Sequence, residues 1–306
     1  MGNLDLTSFA GTLTNVARNV YGNLTFPVSG GTFTAGGAIT TLAATSGTEN
    51  ITLNNRSIDF PITIDGLGGT FVANGQIILG ATRSLTLSNG TFNSALNSLT
   101  VASMIITTGN VAVSNINQSD LRVTHTSGDL NLNSNIAAGG YTFSAGNLNL
   151  NSFRLTCNNF VSTTTTPRSI NFGTGTLVVS NSSGGTIWNT STITNLSTTG
   201  SDNVIISSGG TAATTISPGS LSEANSINFS FPAAGSYNLT LTSPCTVKTL
   251  DFRGPVSGGY VGTLINGDRT VFGDFITSTG MSLQAGGGTT TFANTSSVQN
   301  IVSNAK

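Results

Sequence analysis

From Asn23 onward, apolar residues recur as dyads at i and i+2. Leu24/Phe26, Ile51/Leu53, Leu85/Leu87, Val111/Val113, Leu130/Leu132, Leu148/Leu150, Ile170/Phe172, Leu239/Leu241 and Leu250/Phe252 are such dyads, each flanked by Gly, Asn, Ser or Pro. Successive side chains of a strand point to opposite faces, so each dyad predicts a short strand with one buried side, ended by turn chemistry. One stretch departs from this pattern. Between Ser8 and Tyr21, Phe9, Leu13, Val16, Ala17 and Val20 fall at helical spacing without a strong cap. It sets residues 1–22 apart as an N-terminal element, and the repeats occupy residues 23–306.

The dyads also copy one another. Asp129-Leu130-Asn131-Leu132-Asn133-Ser134 returns eighteen residues later as Asn147-Leu148-Asn149-Leu150-Asn151-Ser152, and Ser84-Leu85-Thr86-Leu87-Ser88 is a third copy. Gly-Thr-Phe closes a segment at Gly31-Thr32-Phe33, Gly69-Thr70-Phe71 and Gly90-Thr91-Phe92. Spacings of about 18 to 22 residues fit one coil of a three-faced solenoid. A single coil leaves both backbone edges unpaired and cannot bury its few inward side chains. Stacking pairs each strand with the one below at ~4.8 Å and joins the inward residues into a column. The fold class expected is therefore all-β, a parallel β-helix of about a dozen coils with a short N-terminal attachment or capping segment. A β-sandwich is the competing architecture. The Asn-Gly hairpin signals it calls for occur at Asn74-Gly75, Asn89-Gly90 and Asn266-Gly267 and are too few to carry it.

Composition shapes the surface of such a stack. Only 7% of the 306 residues are charged, against roughly a quarter in an ordinary globular domain. Solubility must rest on hydroxyls and amides, and ladders of Asn and Thr can hydrogen-bond from rung to rung. Disorder is set aside because Ile, Val, Leu and Phe recur throughout. The net charge is −1 and the lysines are Lys248 and Lys306 alone, so there is no basic patch to neutralise a nucleic-acid backbone. No apolar run reaches the ~18–20 residues that a membrane-spanning helix needs, so no membrane insertion is expected. Cys157 and Cys245 share parity with apolar neighbours and are expected as buried thiols acting as small hydrophobes.

Two groupings of titratable residues stand out. In Asp120-Leu-Arg122-Val-Thr-His125, parity puts Asp120, Arg122 and Thr124 on one face and His125 with Leu121 and Val123 on the other, which marks His125 as a core or corner residue. Asp129 follows nearby. Asp251, Asp268 and Asp274 with Arg253 and Arg269 read as a surface ion-pair ladder. The same carboxylates would serve a polysaccharide depolymerase only if they lined one groove within ~10 Å. Trp188, the sole tryptophan, is either a sugar-stacking platform or a core residue. Zinc, phosphate-loop, nucleophile-elbow and calcium-repeat motifs are missing. No catalytic, cofactor or metal residue is assigned, and the chain is expected not to be an enzyme.

Asn147-Leu-Asn-Leu-Asn-Ser-Phe-Arg-Leu-Thr-Cys-Asn-Asn-Phe-Val-Ser, then Arg168-Ser-Ile-Asn-Phe-Gly-Thr-Gly-Thr-Leu-Val-Val-Ser and Thr186-Ile-Trp188-Asn, resemble repeats of large Gly/Thr/Asn-rich β-helical surface proteins. These include tail-fibre and virion structural proteins of marine phages, especially cyanophages, and bacterial adhesin-like proteins. The resemblance spans about residues 80–295 and is one of composition and dyads. It implies a fibre or virion appendage built from several identical chains, a homotrimer favoured. The N-terminal segment would join other virion proteins through Phe9, Leu13, Val16, Arg18, Val20 and Tyr21, and polar faces could meet a host-surface glycan. The opening Met1-Gly2-Asn3-Leu4-Asp5 lacks the basic and apolar regions of a signal peptide, which favours the virion over the bacterial cell surface as the location.

Overall fold

The computed structural model describes residues 1–200, 203–208, 210–232, 235–253, 259–295 and 298–304. The chain is a parallel β-solenoid of about 13 turns. All strand pairings among the described residues are parallel, which rules out the hairpin-linked sandwich. The chain divides into two units, Met1–Asn149 and Leu150–Lys306.

In the first unit, the dyads stack in register as the repeats predict. Val111 lies against Leu130 and Leu130 against Leu148, while Asn131 lies against Asn149. The two near-identical hexapeptides are thus successive rungs of one face. A second face carries an inward file of Val20, Leu42, Ile64, Leu87, Ile106, His125 and Phe143, each paired with the next and each fully buried. A third face is built from short strands such as Ser57–Ile58, Ile77–Leu79 and Leu99–Thr100. Burying one such aliphatic side chain contributes about 1.5–3 kcal/mol. A narrow column gains stability by repeating that contribution at every rung.

Corners need backbone that L-residues resist. Gly109, Gly128 and Gly146 follow one another at one corner with φ of 113°, 74° and 90°. Asp129 N–H donates to the Gly109 carbonyl at 2.7 Å and Asn147 N–H to the Gly128 carbonyl at 2.9 Å. A Cβ on Gly146 would lie 2.0 Å from the Gly128 oxygen, so both the conformation and the close approach require glycine there.

In the second unit, Leu155, Leu177, Val204, Phe229, Leu250, Phe275 and Ile301 form one file down the strands from Arg154–Cys157 to Ile301–Val302. A second stack runs Cys245–Val247, Arg269–Val271 and Thr290–Phe292. Rungs here are longer than the repeats predict. Asn195 reaches back 30 residues to the Thr165 carbonyl, the additional residues bulging at corners. Cys157 and Cys245 are buried free thiols. Burial pushes their pKa values up to about 12 and about 11, as expected of thiols packed as hydrophobes.

Three readings change in detail. The helical spacing over Ser8–Tyr21 is not a helix. Thr12–Leu13 and Arg18–Val20 are strands, and with Leu4–Asp5 they pair with Thr32–Phe33, Thr40–Leu42 and Leu24–Thr25. In-register neighbours outweigh a short, uncapped helical pattern. The Ser84–Ser88 copy and Gly31-Thr32-Phe33 lie on other faces than the copies they match in sequence. By contrast, Gly69-Thr70-Phe71 and Gly90-Thr91-Phe92 do stack, with Phe71 against Phe92.

Candidate functional site

One outward strip of the first unit is a chain of side-chain amides flanked by the Asp129 carboxylate. Asn149 Nδ2 donates to Asn131 Oδ1 at 2.9 Å, and Asn131 Nδ2 to Asn110 Oδ1 at 2.7 Å. Asn110 N–H continues the chain to Asn89 Oδ1 at 3.2 Å, and Asn147 Nδ2 donates to Asp129 Oδ1 at 2.6 Å. Hydroxyl pairs Ser84/Ser103 and Ser88/Thr107, each at 2.9 Å, repeat the arrangement on the next face. An amide both donates and accepts, so it can pass a hydrogen bond from rung to rung without charge.

The N-terminal residues divide by direction. Val20 is fully buried and Arg18 nearly so, whereas Val16 and Tyr21 are exposed. Leu13 pairs with Phe33, and Phe9 N–H donates to the Leu6 carbonyl at 2.9 Å. Arg18 donates from Nη2 to the Thr14 carbonyl at 2.7 Å and lies 5.9 Å from the centre of the Phe60 ring. Burial holds its pKa below the usual arginine value. The far edge of this first rung pairs with no further strand among the described residues.

His125 points into the core, away from Asp120 and Arg122. Its Nε2 lies 3.0 Å from the Gly128 carbonyl and its Nδ1 3.2 Å from the Tyr141 hydroxyl. A carbonyl only accepts, so Nε2 carries the proton and Nδ1 accepts from Tyr141, which is the neutral ring. Burial lowers its pKa from 6.5 to about 4, against smaller opposing pulls from the Gly128 and Ser127 backbone and the Asp129 charge. Between those values the unfolded chain binds the proton first. The His125 contribution is therefore complete above pH 6.5 and is lost as pH falls toward 4, at a cost of about 3 kcal/mol. Urea denaturation at pH 7 and pH 4.5 should show that loss, and His125→Phe should reduce it. An equal acid loss in both proteins would contradict the assignment.

The acidic grouping of the second unit is spread over two faces. Asp251 pairs with Arg253 at 2.7 Å, and Asp274 lies one rung on, its Oδ1 accepting from Asn300 N–H at 2.8 Å. Asp268 sits on the other stack, accepting from Thr289 N–H at 2.8 Å. Of the arginines, Arg253 is exposed and Arg269 is buried, so only Asp251/Arg253 behaves as a surface ion pair. Trp188 is a core residue. It stacks on Phe160 at 4.6 Å, meets Phe229 edge-on at 5.6 Å and donates from Nε1 to Thr190 Oγ1 at 2.9 Å.

Sequence parity missed a shared property of Arg18, Arg168 and Arg269. All three are buried, each at the start of a strand and two residues before an inward Val or Ile. Each donates from Nη2 to backbone carbonyls. The signal was present: an arginine sharing parity with an inward aliphatic must find carbonyl partners. Among the described residues no helix is long and apolar enough to cross a membrane. Comparison with protein families, curated proteins and solved structures finds no match to this chain.

Proposed function

We propose that the chain is a non-enzymatic structural subunit of a virion appendage, a phage tail fibre or comparable device, used as one of several identical chains with a trimer favoured. The carrying observation is a parallel solenoid of about 13 turns whose first unit carries amide and hydroxyl ladders from rung to rung. Within the first unit, the amide ladder presents one polar pattern many times. Many weak contacts of that kind become strong through multivalency. Exposed Val16 and Tyr21 near the first rung suit a junction with another particle protein, because exposed apolar side chains favour a partner.

A bacterial surface adhesin uses the same architecture and is the second reading. Immunogold electron microscopy with antibodies against the chain separates the two. Label on appendages of purified virus particles supports the virion reading. Label on bacterial envelopes, with none on particles, overturns it in favour of the adhesin.

A further inference from the structure

In the second unit, the corners of successive rungs form a cleft of about 260 Å³ lined by Glu223, Lys248, Phe272, Asp274, Asn294 and Asn300. Its members come from different rungs. Glu223 opens the short turn Glu223–Asn225, and Lys248 follows Cys245–Val247. Phe272 and Asp274 lie between Arg269–Val271 and Phe275–Ile276, and the asparagines precede Ile301–Val302. The gathering is unusual for this chain. It has only two glutamates and two lysines, and one of each meets Asp274 in the same cleft.

The carboxylates are held in place. Glu223 Oε2 accepts from the Thr295 hydroxyl at 2.6 Å, and Asp274 Oδ1 accepts from Asn300 N–H at 2.8 Å and Nδ2 at 3.1 Å. A carboxylate has about four acceptor positions, so each retains lone pairs for a further donor. Fixing acceptors in advance lowers the ordering cost of binding. The half-buried Phe272 supplies an apolar surface beside them.

We propose that this cleft is a binding subsite for a neutral hexopyranose unit of a glycan. Vicinal sugar hydroxyls donate to Glu223 and Asp274, the Asn300 amide meets a sugar oxygen, and the apolar face of the ring packs on Phe272. Two carboxylates against one ammonium leave the cleft net negative, which disfavours uronates and other anionic sugars. The inference rests on the appendage reading and names its partner class. Its test uses free oligosaccharide on the purified chain, so its outcome is separable from the immunogold result.

The full chain is titrated with cellohexaose, maltohexaose, mannohexaose and hexagalacturonate, followed by saturation-transfer NMR and calorimetry. At least one neutral hexasaccharide should bind more tightly than hexagalacturonate. Phe272→Ala, Glu223→Gln and Asp274→Asn should each weaken it by about tenfold. Phe272→Tyr should keep binding, and so should Asp268→Asn, which lies outside the cleft. Native Trp188 emission confirms that each variant is folded. The proposal is overturned by no neutral binding up to about 10 mM, by preference for hexagalacturonate, or by equal affinity in the folded Phe272→Ala and Asp274→Asn variants.

Discussion

Replacing Arg168 with alanine should destabilise the chain by about 4 kcal/mol, and with methionine by about 3 kcal/mol. Arg168 is buried at the start of Arg168–Asn171. Its guanidinium carries five N–H donors, and five acceptors surround it. Nε donates to Ser162 Oγ at 2.6 Å, Nη1 to the Thr166 and Thr194 carbonyls at 3.1 and 2.9 Å, and Nη2 to the Ser162 carbonyl at 3.3 Å and to that of Thr192. The residue ties a corner of its own rung to the corner of the next, so truncation strands the buried Ser162 hydroxyl and carbonyl and releases three corner carbonyls at once. The desolvation that lowers the Arg168 pKa is a cost of keeping the charge. It is offset only because every donor is used. Methionine keeps most of the stem, so its loss isolates the donors. Lysine, a single ammonium with three donors, cannot span both corners and should recover only about 1 kcal/mol relative to methionine. Urea denaturation followed by circular dichroism gives these values. A loss below about 1 kcal/mol for Arg168→Met would show that the bonds are not what holds the two corners together.

Trp188→Ala should cost about 3–5 kcal/mol, again read by circular dichroism because the fluorophore is gone. Trp188 lies between Phe160 and Phe229, and its Nε1–H feeds a short relay in which Thr190 Oγ1 donates onward to the Pro218 carbonyl at 3.0 Å. Removing the indole empties the largest fully buried side chain in the column and takes away one partner of the Thr190 hydroxyl. Trp188→Phe keeps the stacking and loses the relay, so it should cost about 1–2 kcal/mol. Equal losses for alanine and phenylalanine would assign the whole effect to the hydrogen bond and none to packing.

The dyads made the fold legible because a period of two, repeated every 18 or so residues, has few uses other than stacked strands. Leu130/Leu148 and Asn131/Asn149 fall where that logic puts them. Parity also placed His125 in the core, but it left Trp188 open between the core and a sugar-stacking platform. There the pairing of Gly185–Asn189 shifts between Thr186 and Trp188, and the bulge buries Ile187 and Trp188 together. A bulge breaks alternation, and nothing in Thr-Ile-Trp-Asn announces one. Ser8–Tyr21 misled for a different reason, since five apolar residues at helical spacing say nothing about the strands that lie next to them. The cleft around Glu223 and Asp274 was not legible, because its residues are brought together by rung lengths, and those vary with corner loops that carry no periodic signal.

Stacking in register can be measured directly with spin labels on Ala112→Cys, Asn131→Cys and Asn149→Cys, outward positions of three successive rungs in the first unit. Parallel rungs at ~4.8 Å predict strong dipolar broadening for 112/131 and 131/149 and weaker broadening, at about 10 Å of backbone separation, for 112/149. All three effects should vanish in denaturant. Spectra of the double-labelled chains equal to the sum of the single-labelled ones, or a 112/149 pair closer than either adjacent pair, would contradict the solenoid.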